Sequence, residues 1–471
     1  MKKSPREPSP RVHWRGIGSA EGGDVNGTLF DEEQAPVPAE AQRGEERVLQ
    51  GAAPRYQRPN RAQVELRSCD LEALIAEDHP VRTVWAFVEG LDLSALYQGI
   101  RAVQGQAGRP AIDPAILMGL WLYATLEGVG TARTLERLCR QHDAYRWLCG
   151  GVSVNYHSLA DFRVRHEEFL DHQLTVSAAT LMSEGLVSLK RVARDGVRVR
   201  ASAGAASFRR PPTLKACLRE AREQVEVLRK ELQDDPGATS RREQAARLRA
   251  AEERQRRIQQ ALAHVPQVEA KKKAADKAKA RVCTTDPEAR VMKMADGGFR
   301  PAYNGQFCTD TDPQVVVGVA LSNEGSDQGE MVPMLGQLTE RYQRLPHETL
   351  VDGGFANKQA IEAATAAGTT VYAPVQKPKD PTRDPHAALA EDSPAVAAWR
   401  ERMGTEPAKE IYKQRAASAE CVNALARNRG LRQFTVRGLR KVKTVLLWYA
   451  LAHNLMRAVF LRLQSARYAP A

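Results

Sequence analysis

The chain has 471 residues, 69 Lys plus Arg against 57 Asp plus Glu, and a formal net charge of +12 near neutral pH. That length can bury more than one hydrophobic core, and the basic excess suits a polyanionic partner. An aromatic share of 6% speaks against an aromatic platform for unpaired bases and for contacts to backbone phosphates. The seven cysteines, at 69, 139, 149, 217, 283, 308 and 421, form no Cys-x-x-Cys pair and are odd in number. Zinc and a disulfide framework are therefore not expected, and a reducing compartment fits.

Residues 1–60 are rich in Pro, Gly, Glu and Arg without apolar periodicity, and read as a disordered extension. Lys2 and Lys3 have no apolar stretch behind them, so no secretory signal is expected. Residues 61–185 turn helical. Asp113 and Pro114 predict a helix start, with Ile116, Leu117, Leu120, Trp121 and Ala124 on the buried face. Gly128-Val-Gly130 breaks it, Thr131 restarts a helix carrying Arg133, Arg137 and Arg140, and a third helix is expected near Ser158 with Asp161 completing a capping box. This pattern suits a helix-turn-helix reader of DNA, or an all-α bundle with a solvated basic face.

Arg191 to Arg200 alternates Val197 and Val199 with Arg198 and Arg200, the period of a half-buried strand. Asp195-Gly196 within it could also be a hairpin turn. Two apolar seams follow, Leu214 to Leu232 and Leu248 to Val265, separated by Asp-Asp-Pro-Gly at 234–237. They predict a helical hairpin over about 211–281, ending in Lys271, Lys272 and Lys273. This segment is either a solvated charged linker, or a phosphate clamp or dimerisation arm; the hairpin is read as structural, with the lysine run as a secondary DNA contact. Strands resume at Tyr303–Phe307 and 315–320. A further short strand ends at Asp352-Gly-Gly, a placement that serves ligand chemistry or simply caps the next helix. A Pro-rich loop around Lys377 to Asp392 precedes Tyr412. The final helix, 444–463, packs on the core, with His453 and Asn454 as core or capping residues, and residues 464–471 form a tail. Its longest apolar run, Val445 to Leu451, is too short to span a bilayer.

Tyr412, Arg415, Glu420 and Arg427 carry the sharpest chemical signal. Residues seven apart share a helical face, so Glu420, Asn423 and Arg427 can point at one ligand, or Glu420 and Arg427 can be a surface charge pair. With Asp195 and Asp352, Glu420 completes a set of three hard oxygen ligands, which suit Mg²⁺ or Mn²⁺. Two such ions can serve both the attacking and the leaving oxygen of a phosphodiester. No phosphate-binding Gly-x-x-x-x-Gly-Lys loop and no Gly-x-Ser-x-Gly elbow occurs.

From about Gln63 to Arg457 the sequence resembles the DDE transposases of bacterial insertion sequences. The resemblance is carried by Glu77-Asp-His-Pro-Val-Arg82, Gly108-Arg-Pro-Ala-Ile-Asp-Pro114, Asn155-Tyr-His-Ser-Leu-Ala-Asp-Phe-Arg163 and Thr285-Asp-Pro-Glu-Ala-Arg-Val-Met-Lys293. Gly298-Phe-Arg-Pro-Ala-Tyr-Asn304, Asp327-Gln328, Asp352-Gly-Gly-Phe355, the Tyr412–Glu420 segment and Leu451-Ala-His-Asn-Leu455 extend it. It implies an α/β, RNase H-like catalytic core over 186–463, interrupted by the helical hairpin and preceded by an all-α DNA-binding region. It also implies that Asp195, Asp352 and Glu420 are catalytic and hold two Mg²⁺ or Mn²⁺ ions. Tyr412, Arg415 and Arg427 match the family's tyrosine–arginine–glutamate–lysine signature, with Arg427 in place of the usual lysine. The implied partners are double-stranded DNA, at the element's terminal inverted repeats and the target, and a second copy of the chain or more. The implied location is cytoplasmic, at the nucleoid. An RNase H-like nuclease without strand transfer and a catalytically silent DNA-binding relic are the alternatives.

Overall fold

The computed structural model describes residues 70–102, 110–234, 241–378, 380 and 382–468. The extension expected over 1–60 and the helix stop at 235–237 lie outside the described residues.

Helices fill the first part of the described chain, and their starts follow local capping chemistry. In α1 (Pro80–Glu89), Pro80 occupies the first turn and His79 Nδ1 accepts the Val81 N–H at 3.1 Å. After α2 (Ser94–Gln98), α3 (Pro114–Leu126) begins at the expected pair, Asp113 Oδ1 accepting the Ala115 N–H at 2.8 Å. Met118, Leu120, Trp121 and Leu122 on it are all fully buried, so this helix is apolar around its whole circumference rather than on one face. Thr131 caps α4 (Ala132–Gln141), and α5 (Asp143–Cys149) follows. The helix expected near Ser158 starts earlier. Asn155 Oδ1 accepts the Ser158 N–H at 2.9 Å, so Asn155 is the cap of α6 (Tyr156–Arg165), and α7 (Glu167–Ser183) comes next.

The chain continues through β1 (Arg191–Arg200), β2 (Phe208–Arg209), α8 (Pro211–Asp234), α9 (Arg241–Ala270), β3 (Val282–Cys283), β4 (Arg290–Lys293), β5 (Phe299–Asp310) and β6 (Val316–Ser322). Then come α10 (Met331–Tyr342), β7 (Glu348–Leu350), α11 (Lys358–Ala366), β8 (Thr370–Tyr372), α12 (Pro394–Gly404), α13 (Glu406–Arg415), α14 (Cys421–Asn428) and α15 (Leu439–Tyr468). The last helix runs past Leu463 into the stretch expected to be a tail.

β1 is the organising strand. It pairs antiparallel with β5 along its length, Asp195 opposite Phe307, and parallel with β7 over Arg191–Ala193. Asp195-Gly196 is thus mid-strand and not a hairpin turn. β8 lies parallel outside β7, while β4 and β6 share the far edge of β5. The sheet is mixed, and its faces alternate along β1. Asp195, Val197 and Val199 face α14 and α15. Gly305, across from Val197, leaves room for α15, since a Cβ there would lie 2.9 Å from Leu446.

One apolar core joins the helices of 70–185 to the sheet. Trp121, Leu159 and Phe162 cluster with Val197, Tyr303, Phe307, Val422 and Trp448. The Trp448 indole N–H donates to the Arg163 carbonyl at 3.0 Å, and buried Arg163 places its guanidinium 4.6 Å over the Trp121 ring. α15 is the hub of this core: its most apolar 18-residue window, long and apolar enough to cross a membrane, is 78% buried within the fold. Asn454 on it clamps β6, accepting the Val316 N–H at 2.8 Å and donating to the Val316 carbonyl at 2.7 Å. His453 is likewise a core residue, its Nε2 2.7 Å from the Gln314 carbonyl. The hairpin of α8 and α9 stands between β2 and β3, with Val225, Leu228 and Ala251 forming a small apolar cluster between its two helices.

Candidate active site

α13 and α14 are one continuous rod joined by a π-helical turn, Ala416–Glu420. In an α-helix, residues five apart point about 140° away from each other. A π turn brings i and i+5 together, and such bulges gather at functional sites. Here the turn sets Arg415 Nη2 2.5 Å from Glu420 Oε1, while Arg415 Nη1 lies 3.4 Å from Asp195 Oδ1. The Arg415 guanidinium also lies 5.7 Å over the Tyr412 ring.

Asp195 projects from β1 toward this rod. Its Oδ2 accepts a hydrogen bond from Asn423 Nδ2 at 2.9 Å. Asn423 is almost fully buried, and its other side-chain atom, Oδ1, is buried without a partner. Burial pushes the Asp195 carboxyl above its ordinary range. Arg415 and the Asn423 hydrogen bond pull it back, and the nearby Glu420 and Asp352 charges push it up again. Burial opposes the charge on Arg415, yet Tyr412, Asp195, Glu420 and Asp352 around it hold its pKa above the usual value. Tyr412 is raised chiefly by burial. Asp352 follows β7 in an exposed position, with Oδ1 accepting the Gly353 N–H at 2.6 Å. It does not cap the next helix: Asn357 does, accepting the Ala360 N–H at 2.7 Å.

All three sequence-predicted acids therefore surround one arginine. They do not stand as a closed ligand set: among the described residues, no three acidic, histidine or cysteine side chains are close enough to share an ion. Three carboxylates repel each other, and the Arg415 guanidinium occupies the position between Asp195 and Glu420. The donor chemistry is that of a hard divalent cation: carboxylate oxygens, with the unpartnered Asn423 amide oxygen behind them.

Two segments match known families. The Transposase domain (DUF772) matches residues 69–165, and the Transposase DDE domain matches residues 380–459. The two matches together support a DDE transposase of an insertion sequence. Comparison with curated proteins and with solved structures returns no match. Tyr412, Arg415, Glu420 and Arg427 fall inside the second matched segment, and Arg133, Arg137 and Arg140 fall inside the first.

The remaining predicted residues are spread over the surface. Arg427 is exposed on α14. Arg133, Arg137 and Arg140 are all exposed on α4, Arg133 lying 4.8 Å over the Tyr156 ring and Arg140 paired with Glu136 at 3.3 Å. Lys271, Lys272 and Lys273 follow α9, with Lys271 paired to Glu324. The sequence reading missed the role of Asn423 as the partner of Asp195, because a pairing 228 residues apart leaves no local signal.

Proposed function

We propose that this transposase cleaves the ends of its insertion sequence and joins them to target DNA, using Asp195, Asp352 and Glu420 as its metal-holding acids. The observation that carries this reading is the placement of Arg415 among these three carboxylates, delivered by β1, the end of β7 and the π turn. The strand order, an antiparallel β6-β5-β1 set continued by parallel β7 and β8, supports an RNase H-like core with the α8–α9 hairpin as its insertion. The transposase match over 69–165 supports a DNA-binding role for the helical region, in which Arg133, Arg137 and Arg140 neutralise phosphates.

When bound, Mg²⁺ or Mn²⁺, as one ion or a pair, supplies Lewis-acid charge to the scissile phosphate. The chain's own residues do the rest. Asn423 fixes the rotamer of Asp195 through its amide. Arg415 balances negative charge in the apo site, and on DNA binding can turn to a phosphate oxygen, for which its fork geometry is suited. Tyr412 walls one side of that guanidinium, and exposed Arg427 is free to hold the DNA backbone. Strand transfer proceeds by in-line displacement without a covalent enzyme intermediate, with alignment and charge stabilisation supplying the rate. Lys271, Lys272 and Lys273 are a secondary phosphate contact, a second copy of the chain completes the active complex, and the protein works at the nucleoid.

The test uses the genomic DNA flanking the coding region. A supercoiled plasmid carrying the flanking inverted repeats, incubated with the full chain and Mg²⁺, should yield ends with free 3′-hydroxyls and joined products. Random nicking without preference for the repeats would contradict the reading.

A further inference from the structure

The residues on either side of Asp195 in β1 face away from it, and both reach toward the loop that carries Asp352. Gly196 faces a space filled by another side chain: a Cβ at Gly196 would lie 2.7 Å from Asp327 Oδ1 and 2.9 Å from Asn304 Oδ1. Asp327 is held there by two fully buried carboxamides of β5. Asn304 Nδ2 donates to its Oδ1 at 2.6 Å, and Gln306 Nε2 donates to the same oxygen at 3.1 Å. On its other side, Asp327 meets Gly354, where a Cβ would lie 3.9 Å from both its Cβ and its Oδ2. Arg194, the other neighbour of Asp195, is almost fully buried. Its guanidinium lies 5.0 Å over the Phe355 ring and is also bonded to the Glu330 carbonyl, in the same segment as Asp327.

We infer that Asp327 is a positioning residue that sets the Asp352 loop against the Asp195 strand from the far face of the sheet, and so fixes the spacing of the two aspartates. This rests on the metal-holding role proposed above for Asp195 and Asp352. Two buried carboxamides, each left with an unpartnered oxygen, converge on this one carboxylate. The pairing of β7 with β8 runs to Val351, whose N–H donates to the Tyr372 carbonyl at 3.0 Å, and the β1–β7 ladder stops at Ala193, so neither reaches Asp352 itself. The clamp bridges that gap. Asp327 touches no reacting group, since the intervening strand separates it from Asp195.

The clamp is geometric, and this makes it separable from a ligand role. An asparagine at 327 keeps the oxygen that both carboxamides address, and so keeps the clamp. An alanine does not. The experiment is calorimetric titration of the full chain with Mn²⁺ alone, alongside thermal melts and a gel-shift with the flanking repeats. Asp327→Ala should weaken Mn²⁺ binding by about 10–100-fold, the usual cost of removing a support behind a metal ligand. Asp327→Asn should stay within about threefold of wild type, well short of that cost. Gly196→Ala should behave like Asp327→Ala, because the added methyl displaces the carboxylate, and it carries the test if Asp327→Ala does not fold. DNA binding should be unchanged in all three. Wild-type Mn²⁺ affinity in folded Asp327→Ala or Gly196→Ala overturns the inference. So does an Asp327→Asn as weak as Asp327→Ala, which would make the charge itself a ligand. Should the wild type neither bind Mn²⁺ nor lose anything on Asp352→Asn, the metal-holding reading falls, and this inference with it.

Discussion

Arg415 and Glu420 are five residues apart on one helical rod and yet form an ion pair at 2.5 Å. Only the π turn between them permits this. The same guanidinium reaches Asp195, so the turn brings the helical acid to the strand acid through a shared cation. Such a cation lowers the cost of keeping like charges together.

Removing that cation tests the arrangement. Arg415→Ala should lower end cleavage by about 100-fold or more, since a charge aimed at a phosphate in a closed site contributes on that scale. Arg415→Lys should recover only part of the loss, because an ammonium cannot engage two oxygens in a fixed plane. Initial cleavage rates on end-containing DNA measure both. Equal rates for wild type and Arg415→Ala would remove Arg415 from the site.

Asn423 should matter through Asp195. With its amide gone, the Asp195 carboxylate keeps only the longer contact to Arg415, and Asn423→Ala should raise the Mg²⁺ concentration needed for half-maximal cleavage by about 10–100-fold. An unchanged Mg²⁺ dependence would show that the buried amide is only a packing element.

How much of this was legible in the sequence depends on distance along the chain. Asp113 with Pro114, the alternation of β1 and the two hairpin seams are local signals, and each maps onto an element. The Asp195-Gly196 dipeptide left a hairpin turn open beside the strand, and the pairing of β1 with β5 decides for the strand. Gly196 is glycine because Asp327 fills the place of its side chain, a contact that no dipeptide rule contains. The cap of α6 was misplaced for a simpler reason: Asn155 and Ser158 are both good caps, and only the geometry chooses. Shared burial was also invisible. The helical region and the sheet have separate patterns in sequence but one core in space, joined by α15. The pairing of Asn423 with Asp195 and the convergence of Asn304, Gln306 and Asp327 are tertiary, and motif order alone did not reveal them.

Asp310 supplies a pH test of the fold outside the site. It is buried, its Oδ2 accepting the Leu189 N–H at 2.7 Å, and burial lifts its pKa from 3.8 to about 6. The folded state thus holds this proton more tightly than the unfolded chain does. Stability from this group is present below pH 4 and is lost as pH rises through about 6, by roughly 3 kcal/mol. Asp310→Asn should therefore gain stability relative to wild type between pH 4.5 and pH 7, read from urea midpoints. A difference that does not change with pH would contradict the assignment.

DNA contacts by the helical region are best tested in the intact chain, because an isolated 61–185 fragment would expose Trp121 and the rest of the shared core. Replacing Arg133, Arg137 and Arg140 together by alanine should weaken binding to the flanking repeats and reduce the steepness of its salt dependence by about three counterions' worth. Unchanged affinity and slope would move recognition to the hairpin or to Lys271, Lys272 and Lys273.

The most direct test separates chemistry from binding at Asp352. This carboxylate is exposed and sits at the end of β7, so Asp352→Asn should leave the fold and DNA binding intact. Cleavage of end-containing DNA by wild type and Asp352→Asn, with binding measured in parallel, should show strand cutting abolished in the variant at unchanged affinity. Cleavage by Asp352→Asn at the wild-type rate would contradict the three-acid site, and leave a protein that binds DNA without cutting it through these residues.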